Sequence, residues 1–113
     1  MYCYHKSIPV KDIGGGILMQ ELGVCHNMNV LHWNMKDGSL IPLHQHAEEQ
    51  FGYVIKGGFK MKIGDEETVL REGDSYFIPP HVPHTFTATG ETEAIDVFTP
   101  VKYDIPGRKK TGK

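Results

Sequence analysis

The sequence predicts a single all-β domain, either a sandwich or a barrel of short strands. Runs rich in β-branched and aromatic residues recur along the chain, and most of the 13 glycines and 7 prolines fall between them. No helical periodicity extends over the roughly ten residues that a helix requires. A length of 113 residues fits one domain and leaves little room for a second. Short, regularly spaced strands are typical of sandwiches and barrels.

Eight strands follow from these runs, and residues that favour turns separate them. The turn signals include Gly57-Gly58 after the third strand, Glu72-Gly73-Asp74 after the fifth and Pro79-Pro80 after the sixth. We expect one domain over residues 1–113, with a core at about 28–100, an N-terminal strand arm and a basic C-terminal tail. The predicted strands are Gly16–Gln20, Asn29–Met35, Gln50–Lys56, Phe59–Ile63, Glu67–Leu70, Ser75–Ile78, His84–Ala88 and Glu93–Thr99.

The charge balance excludes some classes of partner. The chain carries 12 Lys and Arg against 14 Asp and Glu, a formal charge of −2. A nucleic-acid binder usually shows a strong basic excess, so we expect no nucleic-acid partner. No apolar run approaches the roughly 20 residues that span a membrane, and no signal peptide is visible. We therefore expect a cytoplasmic protein with reduced cysteines, whose basic residues Gly107 to Lys113 form a solvated tail.

Several histidines stand at positions that suggest a metal site. His44 and His46 are separated by one residue, so on an extended strand both rings point to one face. Gln50 has the same parity, and a closed barrel can bring His84 beside them. Imidazole is the commonest neutral ligand of first-row divalent metals, and an amide oxygen is a weaker donor. We predict a metal bound by these four residues, with Glu48 as an alternative to Gln50 and a metal-free histidine core as the alternative to the whole site.

An acidic residue lies inside the apolar strand near the C-terminus. Asp96 and Phe98 share one face of that strand, and in a barrel one face is the interior. A carboxylate in the interior would have a raised pKa, which suits a general acid or base. The alternative is an outward, solvated Asp96, with Phe98 on a dimer surface.

Two stretches of the chain resemble the motifs of the cupin family. Residues Gly38 to Gly57 resemble the first motif, in which glycine, His-X-His, glutamate and glycine follow at fixed spacing. Residues Gly73 to His84 resemble the second motif, with its glycine, proline and last metal histidine. The resemblance implies a small single-domain cupin, a double-stranded β-helix or jelly-roll barrel that binds one divalent transition metal (Zn, Ni, Mn or Fe).

The chain departs from the first motif at the position of its glutamate, where Gln50 stands. Three imidazoles and one carboxamide contribute no negative charge, so the ion keeps its full charge of +2. Such an ion polarises a bound carbonyl or hydroxyl more strongly than a carboxylate-ligated ion does. The substitution favours Lewis-acid chemistry on an anionic, oxygen-rich ligand over oxygen activation.

A narrower resemblance concerns the pectin-degradation cupins that linearise unsaturated uronates. The histidines and Gln50 match their ligand pattern, and Asp96 and Phe98 match an Asp and a Phe in their pocket. These cupins continue with an arginine where this chain has Lys102, which keeps the charge but loses bidentate carboxylate binding. The resemblance implies that Asp96, Phe98 and Lys102 serve catalysis.

These observations favour an enzyme that opens, isomerises or cleaves a small anionic sugar acid or keto acid. Asp96 would move a proton, Phe98 and Tyr53 would shape the pocket wall, and Lys102 would meet a carboxylate. The alternatives are a metal-dependent dioxygenase and a non-catalytic cupin that binds a sugar or another small ligand. The resemblance to small cupins also implies a homodimer, in which the N-terminal strand of one chain joins the partner's sheet.

Overall fold

The computed structural model describes residues 1–106, and nearly all of its regular structure is β-strand. The predicted basic tail, Gly107 to Lys113, lies outside these residues. A short 3-10 helix, His5–Ser7, precedes the strands. The ten strands are β1 (Lys11–Asp12), β2 (Ile17–Val24), β3 (Asn29–Met35), β4 (Leu40–His44), β5 (Glu49–Lys56), β6 (Gly58–Ile63), β7 (Glu66–Arg71), β8 (Ser75–Ile78), β9 (His84–Ala88) and β10 (Thr92–Thr99).

The strands form two antiparallel sheets, as expected for a jelly-roll barrel. The six-stranded sheet has the order β1-β2-β3-β10-β5-β8, and the four-stranded sheet has the order β4-β9-β6-β7. The predicted all-β barrel is therefore confirmed. No helix within residues 1–106 has the length and apolar character needed to cross a bilayer.

The core lies between the two sheets and is filled by alternate residues of each strand. In β10 the side chains of Thr92, Ala94, Asp96 and Phe98 are buried, and the residues between them are only half-buried. This period of two is what a strand with one inward face produces. Phe59, Val54 and Met61 are among the core residues without exposed surface or nearly so.

The predicted strands match the observed ones to within one residue at each end, except that β2 continues to Val24 where the prediction ended at Gln20. Asn29–Met35, Ser75–Ile78 and His84–Ala88 have the predicted bounds. Strands β1 and β4 were not predicted. Strand β4 is an edge strand that contains Pro42, and four of its five residues are exposed, so it lacks the alternation that identifies a strand.

The topology brings the candidate site residues to one region of the barrel. Strand β10 lies between β3 and β5, at the centre of the larger sheet. Strand β4 pairs with β9 so that His44 lies directly opposite His84. Strand β5 carries Gln50 opposite Phe98 of β10. These pairings place ligand-type side chains from both sheets around one end of the interior.

Candidate metal centre

Three histidines lie together where the two sheets meet. The candidate ligand atoms of His44, His46 and His84 all lie within 4.8 Å of one another. His44 is the last residue of β4, and His46 lies beyond the strand end. The backbone N–H of His81 donates to the carbonyl of His46 at 2.7 Å, and this bond holds the connection in place. The cluster is thus built from paired strands and one anchored connection.

The prediction that one extended strand carries His44, His46 and Gln50 is wrong. Between residues 44 and 49 the chain leaves the four-stranded sheet and enters the six-stranded sheet, where Gln50 lies on β5. Side chains do not alternate regularly from His44 to Gln50, because strand β4 ends at His44, inside the motif. The side chains nevertheless converge, since the crossing turns the chain back across the same end of the barrel.

Backbone carbonyls determine which nitrogen each ring presents to the centre of the cluster. Nδ1 of His44 lies 2.7 Å from the carbonyl oxygen of Pro42, and Nδ1 of His84 lies 2.9 Å from that of Val82. Nδ1 of His46 lies 3.0 Å from the carbonyl oxygen of Glu48. A carbonyl only accepts, so each Nδ1 carries the proton and each Nε2 keeps its lone pair. Second-sphere bonds of this kind orient metal-binding histidines.

Two of the Nε2 atoms have surroundings that suit a bound cation. Nε2 of His84 is buried and has no hydrogen-bond partner among the described residues. Nε2 of His46 lies 3.1 Å from the amide oxygen Oε1 of Gln50, so two acceptors face each other. Two ligand atoms that share an ion at about 2.1 Å are separated by about 3 Å. The donor set of three imidazoles and one amide oxygen therefore fits a divalent transition metal.

Burial favours the neutral form of two of these imidazoles, those of His84 and His46. Burial, with smaller contributions from His44, His46 and Lys102, lowers the pKa of His84 to about 4, against the bond to Val82, which raises it. The pKa of His46 is also lowered, first by burial and then by Lys102. A histidine must be deprotonated to bind a metal, so both rings are ready as ligands near neutral pH.

The carboxyl group of Asp96 lies beside the cluster and has no exposed surface. Its Oδ1 accepts from the Tyr76 hydroxyl at 2.6 Å, and its Oδ2 accepts from Trp33 Nε1 at 2.7 Å. Gln50 contributes a third hydrogen bond. Burial raises the pKa of Asp96, while these three bonds lower it in part. Asp96 thus faces inward, and the alternative of an outward, solvated side chain is wrong.

The contact with Asp96 explains why a glutamine suits position 50. An ionised carboxylate only accepts hydrogen bonds, so Gln50 donates its amide N–H to Asp96. The amide oxygen must then point the other way, where it lies against His46. A glutamate at this position would set two buried carboxylates against each other, which is costly. The motif normally has a negatively charged glutamate at this position. In this chain the negative charge lies on Asp96, and Gln50 stands between Asp96 and His46.

A glycine makes room for the tyrosine that holds Asp96. Across the larger sheet, Asp96 lies opposite Gly52, and Gly52 lies opposite Tyr76. A Cβ atom on Gly52 would lie 1.9 Å from Cζ of the Tyr76 ring. The ring therefore crosses the strand where no side chain stands, and its hydroxyl reaches the carboxylate. Burial and the neighbouring Asp96 raise the pKa of Tyr76 well above its ordinary value, so this hydroxyl keeps its proton.

Most of the predicted site residues line a cavity of about 620 Å³, within the range of small-molecule sites. His44, His46, Gln50, Asp96, Phe98 and Lys102 all line it. Phe98 meets the His46 ring edge to face, with ring centres 5.7 Å apart.

Lys102 lies at the side of the cavity, half-buried, and its Nζ donates to the carbonyl of Asp104. The structure thus brings together all the predicted ligands and the three residues to which the sequence assigns a catalytic role.

The structure also shows where Tyr53 and Glu48 lie. Tyr53 does not line the cavity and is 39% exposed, so its predicted place on the pocket wall is wrong. It differs from Gln50 by an odd number of residues on β5, so it points outward. The Glu48 carboxylate lies 3.5 Å from Nδ1 of His46, the nitrogen that turns away from the cluster. Gln50, and not Glu48, presents an oxygen to Nε2.

Three residues of the site were not predicted from the sequence. Trp33 and Tyr76 hold Asp96, and Gly52 makes the approach of Tyr76 possible. Some signal was present, since Trp33 shares the inward parity of Leu31 on β3, and a buried Trp or Tyr needs a polar partner. An inward acid is such a partner, although the register that joins them is not visible in the sequence.

Comparisons with known proteins agree with this architecture. The family model of the cupin domain matches residues 31–98. The structure of an RmlC-like cupin from Shewanella frigidimarina superposes with a TM-score of 0.86. It is 32% identical in sequence, and the match covers 91% of this chain and 93% of that protein.

Curated relatives include proteins of different sizes. Pectin degradation protein KdgF of Dickeya dadantii is 25% identical over 106 residues, which are 92% of this chain and 96% of KdgF. Oxalate decarboxylase OxdC of Bacillus subtilis is 29% identical over 80 residues, which are 66% of this chain and 21% of OxdC. The chain spans between a fifth and a third of the length of three such relatives, OxdC among them.

Proposed function

The chain belongs to the cupin domain family, and we propose that it is a metal-dependent enzyme of isomerase or lyase type acting on a small anionic sugar acid or keto acid. The observation that carries the proposal is the pairing of two groups in one cavity. Three histidines whose candidate ligand atoms lie within 4.8 Å of one another stand beside a buried, hydrogen-bonded carboxylate. This combination provides both a metal site and a group that can move a proton.

His44, His46, His84 and Gln50 would hold the ion. Once bound, a divalent ion acts as a Lewis acid that polarises a carbonyl or hydroxyl oxygen of the substrate. The backbone carbonyls behind the three rings keep the imidazoles in one orientation, which positions the substrate relative to Asp96.

Asp96 would take a proton from the carbon or hydroxyl next to the substrate carbonyl. Three hydrogen bonds already occupy three of the roughly four lone-pair sites of the carboxylate, and one site remains for the substrate. The raised pKa brings the carboxyl group nearer to working pH, where a general base is most effective. Return of the same proton to a neighbouring atom completes an isomerisation without any co-reactant.

Lys102 would bind the carboxylate of the substrate, because its charge lies at the cavity and lowers the pKa of both His46 and His84. Phe98 would pack against the substrate beside His46. The likeness to KdgF over nearly the whole chain supports the choice of a sugar acid or keto acid as substrate class.

The test is a turnover screen of metal-loaded protein with unsaturated uronates and 2-oxo acids, followed by proton NMR in D₂O. We expect turnover or solvent exchange with native protein, and a loss of at least about 100-fold in Asp96→Asn with the metal still bound. A matched control, Glu48→Gln, should keep both metal and turnover.

Full activity in Asp96→Asn would remove Asp96 from the mechanism. Oxygen consumption coupled to substrate loss would replace the proposal by a dioxygenase. Tight binding of a sugar without any turnover would replace it by a binding protein.

A further inference from the structure

The lining of the cavity is mostly apolar. Of the twenty lining residues, twelve are apolar and two are glycines. The six polar residues include His44, His46, Gln50 and Asp96, which form one group through their mutual contacts. The apolar lining residues are Ile13, Ile17, Leu31, Trp33, Leu40, Ile41, Pro42, Leu43, Phe86, Phe98, Ile105 and Pro106.

Beyond His44, His46, Gln50 and Asp96, the lining offers few polar side chains. Among the described lining residues, the only polar ones outside this group are Lys102 and Asp104. Lys102 already donates one hydrogen bond to the backbone of Asp104. A ligand body with several hydroxyl groups would lose its water there and find few side-chain partners, and each unpaired group costs free energy.

Two leucines that line the cavity are exposed to water. Leu40 is 54% exposed and Leu43 is 66% exposed, and both lie on the edge strand β4 that carries His44. Scattered exposed leucines are ordinary, but these two adjoin the same cavity as Ile41 and Ile105. An apolar group that enters the cavity would cover part of this surface and remove it from water.

We propose that this site selects acids with an apolar body, namely 2-oxo or 2-hydroxy acids with a branched or aromatic side chain, over hydroxyl-rich sugar acids. The inference rests on the proposed function and specifies its substrate class. The oxygen atoms of the acid lie at the histidine end and near Lys102. The side chain of the acid lies against the apolar lining formed by Ile41, Leu43 and Ile105.

The test is isothermal titration of zinc-loaded protein with four acids: pyruvate, 4-methyl-2-oxopentanoate, phenylpyruvate and glucuronate. Pyruvate has the same 2-oxo acid group with only a methyl group beyond it. Glucuronate is an acid that carries several hydroxyl groups. We expect 4-methyl-2-oxopentanoate and phenylpyruvate to bind at least about tenfold more tightly than pyruvate and glucuronate, since each added apolar group in such a pocket is worth about tenfold or more.

Two variants make the test specific to the cavity. Leu43→Ser should reduce the advantage of 4-methyl-2-oxopentanoate over pyruvate several-fold. Val69→Ser changes a residue of similar exposure, 50%, on β7 away from the cavity, and should leave both affinities unchanged.

The outcomes separate this inference from the proposed function. Equal affinity for pyruvate and the two larger oxo acids, or tighter binding of glucuronate, would overturn the apolar preference while a metal-bound anion site remained. If none of the four acids binds to zinc-loaded protein, the anion site itself, and with it the proposed function, is wrong.

Discussion

The two sides of the cavity are built in different ways. On the histidine side, formed by His44, His46 and His84, two residues lie at the end of an edge strand and in the following connection, and His44 is exposed, whereas His84 is buried on β9. On the carboxylate side, formed by Asp96, Trp33 and Tyr76, all three residues are buried on paired strands of the larger sheet, and every polar atom of the Asp96 side chain is hydrogen-bonded.

This difference shows which part of the site is satisfied by the folded protein alone and which part needs a bound ion. The carboxylate side is complete without a metal, because packing and hydrogen bonds satisfy its buried groups. The histidine side leaves two acceptors facing each other and one nitrogen without a partner among the described residues. Metal removal should therefore affect the histidine side, and substitutions on the carboxylate side should affect the stability of the fold. The predictions below test this division.

The largest effect is expected where the two sides touch, at Gln50. In metal-free protein at pH 7, Gln50→Glu sets a second carboxylate against Asp96 and should lower the free energy of unfolding by about 3–4 kcal/mol, as unpaired buried charges do. Urea unfolding measures the loss. The double variant Gln50→Glu with Asp96→Asn restores one donor and one acceptor and should recover most of the stability. Equal losses in the single and double variants would contradict the pairing.

The next effect concerns the space for Tyr76. Gly52→Ala places a methyl group 1.9 Å from the Tyr76 ring, and the ring cannot move without breaking its bond to Asp96. We expect a loss of about 3 kcal/mol in urea unfolding, at the upper end for overpacking. Gly23→Ala is the matched control, since its added Cβ meets only the Cys3 sulfur, at an ordinary 3.5 Å. A wild-type midpoint for Gly52→Ala would show that the carboxylate side is loosely packed.

The histidine side should make metal-free protein sensitive to acid. His84 has a pKa of about 4 in the folded chain, against an ordinary value of 6.5. Between these values the unfolded chain binds more protons, so the free energy of unfolding falls as the pH falls. Between pH 7 and pH 4, the shifted pKa of His84 should lower the free energy of unfolding by about 2–3 kcal/mol in total. The measurement is urea unfolding of chelator-treated protein across this range. His84→Gln should flatten the slope, and an unchanged slope in that variant would assign the effect to other groups.

The smallest effect is expected for one donor of the carboxylate side. Trp33→Phe removes the N–H that Asp96 Oδ2 accepts, and the loss of a hydrogen bond to a charged group should cost about 1.5 kcal/mol. Differential scanning calorimetry measures the change. Metal content should remain that of the native protein, because Trp33 holds no ligand. Metal loss at unchanged stability would mean that the two sides are coupled more tightly than their contacts suggest.

The sequence predicted the barrel and the candidate ligands because motif spacing and strand parity are local patterns. The inward face of Asp96 and Phe98 follows from alternation within one strand, and the structure confirms it. Parity also shows why Tyr53 fails as a wall residue, since an odd offset from Gln50 turns it outward. Strand β4 escaped prediction because an exposed edge strand has no burial pattern.

The environment of Asp96 could not be read from the sequence. Trp33 and Tyr76 reach its carboxylate across strands that lie far apart in the chain. Which residues meet depends on the register of β3, β5 and β8 against β10, and register is a property of the folded sheet. The apolar character of the cavity likewise arises from segments distant in sequence, such as Ile13 and Ile105.

The central claim is that the histidine side is completed by one divalent ion. Elemental analysis of purified protein, beside a His44→Ala/His84→Ala double variant and the Glu48→Gln control, tests it most directly. We expect close to one equivalent of a transition metal per chain in the native protein and in the control, and none in the double variant. Native protein that binds no metal even after reconstitution with zinc, nickel, manganese or iron would contradict the claim. The barrel would then be a cupin whose three histidines serve another purpose.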